Sequence, residues 1–292
     1  MTILRTVEAA RAWAADRRAA GARLGLVPTL GALHAGHLAH VAAVRRHVDH
    51  VALSVFVNPT QFGPGEDFER YPRDLDRDAA LAAAAGVDVL FAPAPDDMYP
   101  GGEPSVAVDV GPLGTVLEGR LRPTHFRGVA TVVGKLLAVF LPDVATFGQK
   151  DAQQVVVVRR LVREMLLPVE ILCIPTLRDA DGLALSSRNA YLSPEERRAA
   201  SVLPRALGEA EAAVRAGECR AAAVEGVLRG VLDAEPLART DYAVVARAED
   251  LRPVEVVRGR VMLLLAVRFG GTRLLDNACL DVGQSGVSAA LP

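Results

Sequence analysis

The sequence predicts an α/β protein: a parallel sheet covered by helices on both faces, followed by a smaller α+β domain. Three observations lead there. Short β-branched apolar runs alternate with helix-patterned stretches as far as residue 174, the order in which crossover helices join parallel strands. Past about residue 175 the order changes to consecutive alanine-rich helices and then adjacent strands. Gly270-Gly271 separates two of those last apolar runs, which is a hairpin signal.

The elements follow in order. Residues 23–27 (RLGLV) read as a short buried strand ended by Pro28. A helical pattern covers 36–48, and 50–57 (HVALSVFV) is a second strand, closed by Asn58-Pro59. A loop with Gly63, Pro64 and Gly65 precedes a helix over 74–85, which stops at Gly86, a glycine stop signal. Residues 87–91 (VDVLF) form a third strand and 106–110 a fourth. A long helix lies within 123–140, a short strand at 144–147, a helix at 151–166 and a strand at 169–174 (VEILCI). Helices over 194–216 and 220–232 then precede strands at 242–246, 261–269 and 272–275. The expected division is 1–176 and 177–292.

Composition narrows the function. The chain has 292 residues, 51% of them hydrophobic, enough for a large core in one or two domains. Net charge is −2 with both signs interspersed, which favours neither nucleic acid nor an anionic membrane as partner. No apolar run reaches membrane-spanning length, and the N-terminal stretch lacks a signal-peptide apolar segment. Cys173, Cys219 and Cys279 have no metal-ligand or redox spacing. A reduced, soluble, cytoplasmic protein is the expectation. Lysine occurs only at Lys135 and Lys150, against abundant arginine. A lysine kept against such a bias is a candidate for a place where a compact charge serves and a planar fork does not. Lys150 is the stronger of the two.

The stretch PTLGALHAGHLAH at 28–40 concentrates the chemistry. A strand, a glycine turn and a helix start place ligands at the carboxyl ends of parallel strands. Free N–H groups at a helix start attract anions. Gly31 and Gly36 keep no side chain between a ligand and the backbone. His34 and His37 share one face of the first turn, and each can donate a hydrogen bond to phosphate oxygen. The pattern is neither G-x-G-x-x-G nor a P-loop, and an ordinary pair of helix-start histidines is the competing account. A zinc site of His34, His37 and His40 is weaker: no cysteine or carboxylate completes it, and His40 lies further round the helix.

PTLGALHAGH resembles the H-x-G-H motif of the nucleotidylyltransferase superfamily. The wider set resembles the pantothenate synthetase (pantoate–β-alanine ligase) family: VPTLGALHAGH at 27–37, FVNPTQF at 56–62, YPRDLDRD at 71–78, LEGRLRPTHFRGV at 117–129, FGQKDAQQ at 147–154 and PTLRDADGLALSSRNAYLS at 175–193. These stretches occur in family order over nearly the whole chain. The resemblance implies a Rossmann-like first domain of nucleotidylyltransferase type, binding ATP and pantoate, and a smaller α+β domain acting as a lid with a hinge near 175–181. It implies ATP-dependent joining of (R)-pantoate to β-alanine through pantoyl adenylate, with release of pyrophosphate and AMP. A homodimer is implied as well, and magnesium is expected with the ATP, held largely by substrate oxygens and water.

The resemblance also assigns residues. His34, His37, Lys150 and Arg188 are the implied catalytic groups. Leu30, Gly31, Ala32, Leu33, Ala35 and Gly36 join the two histidines around ATP, together with Gly148, Gln149, Asp151, Leu177, Leu185, Ser186 and Ser187. Gln61 and Gln154 hold pantoate, and Gln61 also β-alanine. A pantoate carboxylate is already ionised near pH 7, so it needs orientation and phosphate charge stabilisation rather than a general base. A neutral amide can grip it without quenching it as a cation would. Taken without the resemblance, the leucines read as core, the serines as a polar loop and Asp151 as a helix cap. Arg122 and His125 are expected near the triphosphate or the second substrate, with Asn58 and Tyr71 behind the site. Asp76 and Asp78 could touch magnesium, although a solvated helix face is the stronger account of them. Two departures from the family pattern stand out: Gln149 where Glu is expected, and Leu30 where Met is expected; the second conserves volume.

Two other classes fit the residues before the resemblance is weighed. One is a synthetase using the same fold, against which stands the lack of a basic RNA-binding surface. The other is a nucleotide-binding regulatory protein, which would not need both glutamines and the acyl-acceptor residues.

Overall fold

The computed structural model describes residues 1–283 and 286–292. It divides into two compact units, Met1–Gly148 with Gln153–Ile174, and Gln149–Ala152 with Pro175–Pro292. The sequence division at 176/177 differs in two respects: the chain crosses after Ile174, and Gln149–Ala152 counts with the second unit.

The first unit runs β1 (Thr2–Leu4), α1 (Val7–Ala19), β2 (Leu24–Thr29), α2 (Ala35–Val44), β3 (His50–Val55), α3 (Leu75–Ala84), β4 (Val89–Phe91), then two short helices, α4 (Pro95–Met98) and α5 (Glu118–Leu121). It continues through α6 (His125–Phe140), β5 (Val144–Gly148), α7 (Ala152–Glu164) and β6 (Glu170–Ile174). All six strands are parallel, in the order β1-β4-β3-β2-β5-β6. The strands are apolar on both faces: Leu26, Leu53, Leu90 and Phe91 are fully enclosed, as a sheet with helices on both sides requires. This is the Rossmann-like arrangement expected. The chain leaves β2 towards β3 and β4, then returns to β5 and β6 on the other side, so the order reverses between β2 and β5. Ligands of such sheets bind outside the carboxyl ends at that reversal.

β2 corrects one expectation. Pro28 does not end it; the strand runs to Thr29, with Pro28 opposite Ser54. The Thr29 carbonyl accepts the Phe56 N–H, so Thr29 faces β3 and Pro28, one residue back, faces β5. Pairing with β5 stops at Leu26, so Pro28 lacks a donor where none is needed. The same divergence parts the ends of β2 and β5. The strand expected at 106–110 is absent. Val106 is exposed, and the Val108 N–H donates to the Thr131 hydroxyl on α6 (2.9 Å) instead of to a neighbouring strand. The α3 expectation holds closely: the Asp74 carboxylate caps the Arg77 N–H (3.0 Å) and Gly86, at φ +81°, ends the helix.

The second unit carries α8 (Pro194–Ala199), α9 (Val202–Arg215) and α10 (Ala221–Asp233), packed on an antiparallel sheet of β7 (Ala238–Arg247), β8 (Gly259–Phe269), β9 (Thr272–Gly283) and β10 (Gly286–Ala289) in the order β10-β9-β8-β7. The expected single helix over 194–216 is two. Pro204 explains the break: in one continuous helix its ring would meet the carbonyl of residue 200, whereas at the third position of α9 it opposes no helical partner. The helices and sheet enclose one core, including Leu203, Leu228, Val261 and Phe269. Among the described residues no helix is long and apolar enough to cross a membrane.

Candidate active site

The turn from β2 into α2 is held from three directions. The Gly31 N–H donates to the Thr29 hydroxyl (3.1 Å), which itself donates to the Ser54 carbonyl (2.6 Å). Gly31 sits at φ +89°, and a Cβ there would lie 2.9 Å from Val55 Cγ1 and 3.0 Å from Asp78 Oδ2. Glycine is therefore demanded by both conformation and space. Ala32 follows at φ +51°, a left-handed geometry unfavourable for alanine. Asp78 supports it: its two carboxylate oxygens accept the Ala32 N–H (2.9 Å) and the Leu33 N–H (2.7 Å). Asp78 is 1% exposed, so it lies on neither a solvated helix face nor an open metal position; its neighbour Asp76 is exposed, on the solvated face of α3. Leu30 is half-buried and Leu33 fully buried, while Ala35 is exposed at the helix start.

His34 is the N-cap of α2. Its Nδ1 accepts the Gly36 N–H (3.1 Å), and the His37 Nδ1 accepts the His34 N–H (3.3 Å). Backbone N–H can only donate, so both Nδ1 atoms are acceptors and each neutral ring carries its proton on Nε2. The rings lie 4.2 Å apart between centroids. Two imidazoles thus present Nε2 donors from a helix start, where the dipole already favours an anion. His40 plays another part: its Nδ1 lies 3.1 Å from the Thr146 hydroxyl, and its Nε2 would be 3.3 Å from a Cβ on Gly148. It ties α2 to β5. Among the described residues no group of three or more His, Cys, Asp or Glu could hold a metal.

Gln61 ends a 3-10 turn, Pro59–Gln61, after β3, and is buried. Asn58, wholly enclosed, donates to Gln61 Oε1 (3.1 Å) and to the Gly128 carbonyl (3.2 Å), while its Oδ1 accepts from Tyr99 (2.7 Å) and Thr60 (3.0 Å). With Oε1 occupied, Gln61 has its NH2 group left to offer. Gly128 lets α6 approach: a Cβ there would fall 2.4 Å from the Thr60 carbonyl oxygen. His125 Nδ1 donates to the Gln61 carbonyl (2.9 Å), and its Nε2 accepts from Arg122 (3.2 Å). Arg122 grips Glu66 through two bonds of 2.7 and 2.6 Å. Burial pushes the His125 pKa down to about 4, helped by the Arg122 charge. Burial acts to raise the Glu66 pKa, but the Arg122 hydrogen bonds and charge outweigh it and leave the carboxyl below its ordinary value. Arg122 and His125 therefore brace the turn that carries Gln61. Tyr71 is buried against Phe62.

The adjacent glutamines of α7 part company. Gln153 is buried; its Oε1 accepts the Glu118 N–H (3.1 Å) and its Nε2 donates to the carbonyls of Leu113 (2.8 Å) and Val116 (2.9 Å). Gln154 is half-buried, with a side chain uncommitted to any described residue.

In the second unit, Lys150 lies in a 3-10 turn, Gln149–Asp151, with its ammonium 3.3 Å from Asp151 Oδ1. The Asn277 amide on β9 donates to the carbonyls of both Gln149 (2.9 Å) and Lys150 (3.0 Å). Gln149 is thus held through its backbone, which its departure from the expected Glu does not alter. The Leu177 carbonyl accepts the Leu185 N–H (2.9 Å), closing the base of a loop. Ser186 then caps a 3-10 turn, Ser187–Tyr191, its hydroxyl accepting the Arg188 N–H (3.3 Å). Gln153, Asp276, Asn277 and Arg178 are organising residues that the motif reading misses, and Asp78 is one whose part it misplaces.

A doubly wound sheet with an H-x-G-H helix start at its reversal defines a nucleotide-handling α/β protein of nucleotidylyltransferase type. Comparison with known proteins narrows the class. The family model for pantoate-beta-alanine ligase matches residues 2–279. A pantothenate synthetase of Moorella thermoacetica is 53% identical over 284 residues, covering 97% of this chain and 100% of its own. A crystal structure of the pantothenate synthetase from Thermus thermophilus superposes with a TM-score of 0.87 at 48% identity, over 95% of this chain and 98% of that one. A pantoate-beta-alanine ligase from Francisella tularensis, complexed with beta-gamma ATP and beta-alanine, gives 0.73 at 31% identity over 95% and 97%. The chain belongs to the pantoate–β-alanine ligase family.

Proposed function

We propose that the chain condenses (R)-pantoate with β-alanine at the expense of ATP, with the residues of the β2–α2 turn, the Gln149–Asp151 turn and the 185–188 segment meeting the nucleotide. A pantoate carboxylate oxygen attacks the α-phosphorus, the bond to the bridging oxygen breaks, and pyrophosphate leaves with the electron pair. The nitrogen of neutral β-alanine then attacks the acyl carbon of pantoyl adenylate. AMP leaves, and the proton lost from nitrogen passes to solvent.

The observation that carries this reading is the pair of fixed Nδ1 acceptors, which makes the Nε2 of both His34 and His37 donors. Donors set before reaction stabilise charge on the pentavalent phosphorus without reorganisation. Lys150 supplies a compact cation to a phosphate oxygen, and Ser186, Ser187 and Arg188 supply hydroxyls and a fork for departing pyrophosphate. Gly31, Ala32, Leu33, Ala35, Gly36 and Gly148 bring backbone close to the nucleotide, Leu30, Leu177 and Leu185 flank it, and Asp151 takes the ribose hydroxyls. Gln61 turns its NH2 towards pantoate and then β-alanine, and Gln154 holds pantoate from α7. Magnesium enters as MgATP, on phosphate oxygens and water. The working form is a cytoplasmic homodimer.

The test is ATP–pyrophosphate exchange that depends on pantoate, followed by AMP release when β-alanine is added. Exchange driven by an amino acid in place of pantoate, or none at all, would overturn the reading.

A further inference from the structure

Neighbouring residues of a strand point to opposite faces of its sheet. In β9 that places Asp276 and Asn277 on different sides, and each holds a different loop. Asp276 is on the face of Leu274, Ala278 and Leu280, which line the helix-covered core. Its carboxylate, fully enclosed, accepts two bonds from Arg178, of 2.7 and 2.9 Å. Arg178 also donates to the Gly182 carbonyl (3.0 Å), so it spans the loop whose base is closed by Leu177 and Leu185. On the other face, Asn277 donates to two consecutive carbonyls, those of Gln149 and Lys150. The Asp276 carboxylate further accepts the Asn277 backbone N–H (2.8 Å), which ties the Asp276 side chain to the backbone that carries Asn277.

The Asn277 amide has one orientation that satisfies two carbonyls, with NH2 towards the turn. Its Oδ1 is then buried with no hydrogen-bond partner. An orphaned buried acceptor is costly. A side chain retained at that cost supplies something an apolar residue cannot, and here it is the paired N–H. Asp276 is equally specific. Burial lowers the affinity of Arg178 for its proton, but the Asp276 bonds and charge reverse that and raise the pKa.

We infer that Asp276 and Asn277 are positioning residues for adenylate formation: Asn277 clasps the backbone that carries Lys150, and Asp276, through Arg178, shapes the loop that leads to Arg188. One strand thereby holds two phosphate-facing segments in fixed register. The inference rests on the roles proposed above for Lys150 and Arg188.

The two half-reactions are measured separately on the full chain: pantoate-dependent pyrophosphate exchange, and AMP release from preformed pantoyl adenylate with β-alanine. Asn277→Ala lowers the first by about 10- to 100-fold and the second by no more than about threefold. Asn277→Asp, which sets a carboxylate against two carbonyls, lowers the first further. In a Lys150→Ala background, Asn277→Ala adds no more than about threefold, because its effect runs through Lys150. Arg178→Gln, which keeps a neutral donor beside the enclosed Asp276 carboxylate, raises KM for ATP and spares the second step. Equal losses in both half-reactions, or full multiplication of the Lys150 and Asn277 losses, would overturn the inference. So would Lys150→Ala impaired beside Asn277→Ala unimpaired, and that outcome leaves the role of Lys150 standing. Intact exchange in Lys150→Ala would instead remove the reading on which the inference rests.

Discussion

Gly36 lies directly beneath the ring of His34: a Cβ on it would stand 2.7 Å from His34 Cε1 and 2.8 Å from Nδ1. The glycine of H-x-G-H is therefore the floor on which the first histidine rests, and the Gly36 N–H fixes the ring's tautomer. Gly36→Ala would push the ring aside. Alanine is favoured over glycine inside a helix by about 1 kcal/mol, so the melting temperature should hold or rise. Pyrophosphate exchange should nonetheless fall about 100-fold. A variant that is both stable and fully active would show that His34 need not be held.

Asp78 clamps the strained end of the same turn. Asp78→Asn keeps one acceptor oxygen and turns an NH2 towards a backbone N–H. The lost bond and the donor clash should cost about 1–3 kcal/mol of stability, read by urea unfolding. KM for ATP should rise, because Ala32 is no longer held in its left-handed conformation. An unchanged KM with reduced stability would confine Asp78 to folding.

Much of this was legible in the sequence, and the failures have physical causes. The β2–α2 stretch declared itself because strand, turn and helix start are local and every residue in them is constrained. Asp78 was misread because an acid in a first helical turn is ordinarily solvated. Yet Leu75, Asp78 and Ala82 share one helix face, and Ala82 and Asp78 are both buried; an acid within an apolar stripe was the available signal. Residues 106–110 carry the right residue types for a strand, but the backbone bond of Val108 goes to a side chain 23 residues later, which no local pattern reveals. Asn277 lies 127 residues from the Lys150 carbonyl it holds, and it was invisible for the same reason.

His125 makes stability depend on pH. Its pKa falls from 6.5 in the unfolded chain to about 4 in the fold, mainly through burial. Between those values the unfolded chain binds a proton that the folded chain refuses, so stability rises with pH across the window. The contribution is complete above pH 6.5 and is lost as pH falls towards 4. Going from pH 7 to 5 should cost the wild type about 2 kcal/mol more than His125→Asn, measured by urea unfolding at the two pH values. Glu66, with its lowered pKa, acts in the same direction only below its unfolded value of 4.5. Parallel pH curves for the two proteins would refute the assignment to His125.

Lys150 should matter to one chemical step more than the other. Lys150→Ala should lose about 2–4 kcal/mol of transition-state stabilisation in adenylate formation, and less when preformed pantoyl adenylate meets β-alanine. Lys150→Arg keeps the charge but spreads it over a planar fork, so its exchange rate should fall between those of the wild type and the alanine variant. Equal losses in both half-reactions for Lys150→Ala would deny it a role on the departing phosphates.

The two neighbouring glutamines of α7 provide the sharpest separation of structure from function. Gln153 makes three bonds to the 113–118 segment. Gln153→Ala removes these three bonds, two of them buried, from the Glu118 N–H and the Leu113 and Val116 carbonyls, so it should lower stability by about 1–3 kcal/mol and activity only in proportion to unfolding. Gln154 has no described partner to lose, so Gln154→Ala should leave the melting temperature unchanged while KM for pantoate rises. Gln154→Arg tests why a neutral amide stands there. A guanidinium would bind the pantoate carboxylate more tightly in the ground state than in the transition state, where its negative charge is being shared with phosphorus. KM for pantoate should then fall, and the saturated exchange rate should fall with it. Exchange unimpaired at saturating pantoate would mean that the amide's neutrality contributes nothing, and a loss of stability in Gln154→Ala would mean that the two side chains do not divide their labour in this way.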